Sequence, residues 1–201
     1  MKINRTEFLI RKGQFADTEE FEQVLEEVYT AIRAVHWPPG NNQFILRQEN
    51  KKHKNGVKPI KESCITVLDE QFGWQREKRM KIITNARPGP VDAVKTLSND
   101  RQFVVEWETG NVSSSHRALN KIAIGLLQRA IVGGLLIVPS REMYQWLTDR
   151  IGNFPEIEPY FPLWRAVPVE EGILAVIEVE HDRTSPSVQC IEKGTDGRAL
   201  R

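Results

Sequence analysis

Val91-Asp92-Ala93-Val94-Lys95-Thr96-Leu97 and Gln102-Phe103-Val104-Val105-Glu106-Trp107-Glu108 are two runs of strand-forming residues on either side of the turn signal Ser98-Asn99-Asp100, and together they predict a β-hairpin. Side chains alternate between the faces of a strand, so Glu106 and Glu108 share one face while Val105 and Trp107 take the other. A hairpin symmetric about Asn99 sets Asp92 opposite Glu106, because both are equally far from its centre. Three acids then share one patch. Like charges opposed across a sheet destabilise it. A divalent cation reverses that sign, since carboxylate oxygens are the hard donors magnesium prefers, and the ion completes its shell with water and substrate phosphate. Spacing alone leaves a second reading open, a solvated hairpin face on which acids alternate with apolar residues.

The flanking segments fit a layered α/β domain. Asp17 and Glu20 resemble a capping box ahead of Phe21, Val24, Leu25, Val28, Ile32 and Val35 at helical spacing, and Trp37-Pro38-Pro39-Gly40 closes that helix. The polar stretch 41–58 reads as a loop carrying Lys51, Lys52, Lys54 and Lys58. Pro59 suits the first turn of a second helix with the stripe Ile60, Cys64, Val67, Leu68 and Phe72, ended by Gly73 in the left-handed position. A strand is expected over Met80 to Thr84, before the turn at Arg87-Pro88-Gly89-Pro90. After the hairpin, the serines 113–115 offer an N-cap for a helix bearing Leu119, Ile122, Ala123, Leu126, Leu127 and Ala130. Leu135 to Val138 is a short buried strand, Ser140 caps another helix, and Ile173 to Val179 is the last strand. The order implies a mixed central β-sheet with helices on both sides. One domain over 1–180 is expected, with disorder from His181 to Arg201.

Composition restricts function less. A chain of 201 residues, 40% hydrophobic, can bury its own core, and a net charge of +1 makes no global field for nucleic acid. DNA contacts must therefore come from local clusters, for which 51–61 and 76–81 are candidates. The two cysteines, Cys64 and Cys190, have no metal-ligand spacing and fit a reducing compartment. The longest apolar run, Ile131 to Val138, is too short for a bilayer, so a cytoplasmic protein without a membrane partner is expected. The five tryptophans read as core or interface residues.

Asp92, the run Val105-Glu106-Trp107-Glu108, Asn111 and the serine-started helix after it resemble the BamHI and BglII type of restriction endonuclease, a branch of the PD-(D/E)xK nuclease fold. Glu108 stands where most of that superfamily carries Lys, as in the BamHI variant. The likeness covers roughly 58–147, the expected catalytic core. It implies a type II restriction endonuclease that hydrolyses duplex DNA at a short palindrome, with a GATC core as the guess, in a Mg2+-dependent reaction in which Mn2+ can substitute. Asp92 and Glu106 would hold the metal, Glu108 would orient or deprotonate the attacking water, and Glu62, on the helix ending in Phe72-Gly73-Trp74, would add a fourth polar group. The connection between Asp92 and Glu106 is longer than in BglII-like members, which leaves Asp100 as an alternative to Asp92; its place in the turn favours Asp92.

For recognition, the first helical turns offer Asn111, Ser113, Ser114, Ser115, His116 and Arg117 to the major groove, with Arg suited to guanine and Asn to adenine. A serine run can equally be plain helix capping, and His116 suits a phosphate or structural contact better than a metal. The resemblance also implies a homodimer, for which the helices at 113–130 and 141–148 could supply apolar faces, and a cognate DNA methyltransferase. A DNA-binding protein without cleavage, and a metal-dependent phosphodiesterase of DNA repair or RNA processing, are the rival readings.

Overall fold

The computed structural model describes residues 1–48, 55–80, 89–148 and 150–193. Its strands are β1 (Lys2–Lys12), β2 (Ile45–Arg47), β3 (Gln75–Lys78), β4 (Val91–Thr96), β5 (Gln102–Trp107), β6 (Gly133–Pro139), β7 (Gly172–Glu180) and β8 (Arg183–Ser185). The helices are α1 (Glu19–Arg33), α2 (Lys58–Phe72), α3 (Val112–Leu127), α4 (Arg141–Tyr144), α5 (Phe154–Ile157) and α6 (Phe161–Arg165).

A six-stranded sheet in the order β1-β7-β6-β5-β4-β3 forms the centre. Strands β3, β4 and β5 pair antiparallel, β5, β6 and β7 parallel, and β1 antiparallel to β7. The expected mixed sheet with helices on both sides is what the chain forms. Parallel strands are covered on both faces, which is why β6 and β7 are buried almost from end to end and read as unbroken apolar runs. Phe103, Val105, Leu135, Ile137, Ala175 and Ile177 pack on one side with α1, α2 and Met143 of α4. Val104, Leu136, Val138, Leu174 and Val176 pack on the other with α3, α5 and α6. Gly134 lets α3 approach, since a Cβ there would come within 2.6 Å of Ile122 and 2.8 Å of Val104.

Several local expectations give way to the tertiary structure. Thr18, not Asp17, caps α1, its hydroxyl accepting from Phe21 N–H. Asn111, not a serine, caps α3 by accepting from Ser114 N–H at 3.3 Å. Charged residues alternate along β1, which hid it; it is an edge strand, and Arg5 and Glu7 face ion-pair partners across the surface. The strand preceding the hairpin is Gln75–Lys78, upstream of the expected segment, of which 81–84 lie outside the described residues along with 49–54 of the lysine-rich loop. Order does not end at His181: β8 pairs in parallel with β2, and Ile191 is buried beneath Gly56, whose N–H donates to its carbonyl at 2.8 Å. Residues 194–201 of the expected tail lie outside the described residues.

Candidate active site

The β4–β5 register runs Ala93↔Val105, Val94↔Val104, Lys95↔Phe103 and Thr96↔Gln102. Its continuation by one residue sets Asp92 opposite Glu106, as hairpin symmetry requires. Asp92 Oδ2 accepts from Trp107 N–H at 2.8 Å, which holds its carboxylate against the end of β5. Glu106 lies on the α3 face, as its period with Val104 demands, and meets Lys121 of α3 in an ion pair. Asp100, the alternative to Asp92, is an exposed turn residue with a φ of 56° and lines a cavity bounded by the other end of α3.

Asp92, Glu106, Glu108, Ser114, Arg117 and Lys121 line one cavity of about 730 Å3. Burial pushes the Glu106 carboxyl above the usual carboxylate range; Lys121 opposes the shift, and the charge of Asp92 adds to it. Glu108 is 4% exposed, and burial raises its pKa as well, against the hydrogen bonds from Ser115 and Gly110, the nearby Thr109 amide and the charge of Arg117. Its Oε2 accepts from Ser115 Oγ and its Oε1 from Gly110 N–H. Glu108 therefore shares the cavity with the other two acids while keeping a hydrogen-bonded seat of its own.

A second cavity, about 350 Å3, lies across Asp92 and is lined by Lys61, Glu62, Arg76 and Glu77. Lys61 Nζ donates to Asp92 Oδ1 at 2.8 Å. Burial pulls the Lys61 ammonium down, but the hydrogen bond to Asp92 and the negative charges of Asp92, Glu62 and Glu77 raise it on balance. Glu62 is half-exposed and tied to Arg76 at 3.2 Å. Glu77 was not singled out by sequence. The β3–β4 pairs Arg76↔Ala93 and Lys78↔Val91 bracket it directly against Asp92, so Glu77, Asp92 and Glu106 form a row of acids across three adjacent strands. Glu77 also carries a φ of 47°, an uncommon conformation for a residue with a Cβ. Gln75–Lys78 is polar throughout and carries no alternation of apolar and polar residues, so the sequence holds no local signal for this strand.

Of the expected DNA contacts, Asn111, Ser113 and Arg117 are exposed on the first turns of α3, and Ser114 lines the larger cavity. Ser115, expected among them, is instead fully buried and spends its hydroxyl on Glu108, so it does not reach a base edge. His116 packs edge-on to Tyr160, 4.5 Å between ring centres, and 5.4 Å from Trp164. That is a structural contact between α3 and both α6 and the residue that leads into it. The apolar stripe of α3 is used internally, leaving Ile124 and Leu127 as its exposed large hydrophobics, and Met143 and Leu147 of the 141–148 segment are buried. Arg76, expected in a phosphate-binding cluster, is engaged by Glu62, Asp69 and Thr66.

The carboxylates of Asp92 and Glu106 are hard oxygen donors walling one cavity, which suits a divalent cation. Among the described residues no three His, Cys, Asp or Glu side chains already converge as a metal cluster. Lys61 and Lys121 instead each neutralise one of the pair. The donor set fits a cation that replaces ammonium contacts already made; each oxygen of Glu108 accepts one hydrogen bond and keeps a second lone pair, so its carboxylate can still accept from the cavity that it lines. Among the described residues no helix is long and apolar enough to cross a membrane.

The family model for restriction endonuclease BamHI matches residues 1–198. The type II restriction enzyme OkrAI of Oceanobacter kriegii is 50% identical over 201 residues, covering 100% of both chains. The type II restriction enzyme BamHI of Bacillus amyloliquefaciens is 35% identical over 185 residues, 90% of this chain and 84% of that one. Among solved structures, the restriction endonuclease BglII, crystallised with a DNA 16-mer, superposes with a TM-score of 0.61 at 9% identity, covering 90% of this chain and 79% of that one. That last likeness is one of fold.

Proposed function

The chain belongs to the BamHI family of type II restriction endonucleases, and from that premise we propose that it hydrolyses both strands of duplex DNA at a short palindromic site, as a Mg2+-dependent homodimer. The observation that carries the reading is the pair Asp92 and Glu106, opposed across β4 and β5 on one cavity, with Glu106 buried enough to disfavour its own charge. A sequence selected for stability alone would avoid that juxtaposition.

Asp92 and Glu106 would hold the cation, with Glu77 as the further acid in line; Glu62, half-exposed and paired with Arg76, has the weaker claim to that place. Bound there, Mg2+ supplies Lewis-acid polarisation of the scissile phosphate. Glu108 accepts the proton of the attacking water. A carboxyl raised by burial is a stronger base than an exposed one, and its two hydrogen bonds fix its direction. Arg117 and Lys121 line the same cavity and offer cationic donors to phosphate oxygens. Asn111 and Arg117, exposed at the start of α3, are the foremost candidates for base contacts, with Ser113 and Ser114 beside them.

A two-fold dimer reads a palindrome most simply, one site per strand. The chain as far as residue 193 is taken as one endonuclease domain, since β8 and Ile191 pack into it, with GATC as the expected core of the target and Mn2+ as a substitute metal. A cognate methyltransferase is the partner such a nuclease requires, because its host's own sites must be marked.

The test is digestion of a sequenced plasmid with Mg2+ and with chelator, followed by mapping of the ends, with RNA incubated in parallel. Discrete cuts at one palindrome are expected, and none in chelator. Glu106→Ala cutting at the parental rate would end the assignment, and cleavage of RNA in preference to duplex DNA would favour a processing enzyme.

A further inference from the structure

Ser115 has no role in the reaction as described so far, yet it is the fully buried serine that touches the proposed proton acceptor. It lies one helical turn after the Asn111 cap of α3, on the face turned to the sheet, and its Oγ donates to Glu108 Oε2. The opposite oxygen, Oε1, is held by Gly110 N–H. Gly110 is itself pinned: its carbonyl accepts from Gly152 N–H at 2.9 Å. Gly152 also leaves the space that Ser115 Oγ needs, since a Cβ there would overlap that oxygen and come within 3.2 Å of the Val112 Cα.

A carboxylate at the end of a strand, with two free torsions before its head group, has no intrinsic reason to hold one direction. Here two segments hold it, the residues after β5 and the second turn of α3, and the connection before α5 braces both through Gly152. We propose that Ser115 is a positioning residue of the cleavage reaction, fixing the Glu108 carboxylate so that one oxygen faces the cavity where the attacking water must sit. The inference rests on the reading of Glu108 as proton acceptor. A hydroxyl suits the task because it donates without adding charge; a cation here would lower the basicity of the carboxylate.

The test compares single-turnover cleavage of a duplex containing the mapped site by Ser115→Ala, Ser115→Cys and Ser115→Thr, alongside binding of the same duplex without metal. Thr keeps the donor, Cys keeps the volume with a poor donor, and Ala loses both. Ala and Cys are expected to lose cleavage rate about ten-fold or more while duplex affinity stays within about two-fold, and Thr to return most of the rate. Size without a good donor is what Cys isolates, so a packing role would show Cys near the parental rate. That result, or Ser115→Ala cutting within about two-fold of parental, overturns the proposal. Glu108→Gln measured beside them separates the two readings. If it cuts at the parental rate, the role of Glu108 itself fails; if it is inactive while Ser115→Cys is unimpaired, only the positioning role fails.

Discussion

Glu108→Gln should make the metal-free protein more stable while removing its cleavage activity. The substitution keeps the shape of the side chain and both of its contacts, because a Gln oxygen can accept from Gly110 N–H and its amide can donate to Ser115 Oγ. What it removes is a buried charge. Turning two charge-assisted hydrogen bonds into neutral ones loses roughly 1 kcal/mol each, about 2 kcal/mol in total. Against that stands the penalty for burying an ion, still several kcal/mol after relaxation. The raised pKa of Glu108 says which wins: burial outweighs Ser115, the Gly110 and Thr109 amides and Arg117 together. The sign follows from linkage. A carboxyl whose folded pKa lies above its unfolded value binds its proton more tightly in the native state, so its contribution to stability declines as pH rises from the ordinary Glu value near ~4.3 through the folded value, and is at its most unfavourable above both. At pH 7.5 the Gln variant should therefore gain about 1 kcal/mol, seen as a rise of about 2–4 °C in Tm without metal. The gain should vanish at the acid end of that window. Cleavage should fall by about 100- to 10,000-fold, the usual contribution of a positioned general base. A Tm that drops at pH 7.5, or a gain that is the same at every pH, would refute the reasoning.

Glu77→Ala should reduce cleavage on the order of 100-fold and Glu62→Ala by less than about three-fold, because Glu77 is the acid in register with Asp92; the reverse ranking in a plasmid assay would return the role to Glu62. Asn111→Ala removes the cap of α3 and should lower stability by about 1 kcal/mol in urea denaturation while also relaxing the cut-site pattern. Unchanged stability would show that another group caps the helix. Gly134→Ala places a Cβ 2.6 Å from Ile122 Cγ2 and 2.8 Å from Val104 Cγ2, between α3 and the sheet. It should cost about 1–3 kcal/mol and lower activity through displacement of α3, whereas a fully stable variant would mean that the helix can move away without consequence.

Much of the site could be read from local pattern because its first two acids belong to one hairpin. Symmetry about a turn is a property of neighbouring residues, and it places Asp92 against Glu106 without reference to any tertiary contact. The buried parallel strands β6 and β7 were legible for a similar reason, as apolar runs that each begin at Gly, the first closed by Pro139 and the second by Glu180. Glu77 was not, since it joins the row only through the pairing of β3 with β4, twelve residues apart along the chain, and the charged β3 has no apolar run to reveal it. Nor could sequence distinguish Ser115 from Ser113 and Ser114. All are equal candidates for a cap until the helix is packed, and the direction of one serine toward Glu108 is decided by which face of α3 the sheet covers. Periodicity states which residues share a face; only the packed structure states what that face meets. Two lysines, Lys61 from α2 and Lys121 from α3, thus reach the same pair of carboxylates from opposite sides of the sheet, a convergence that no spacing along the chain encodes.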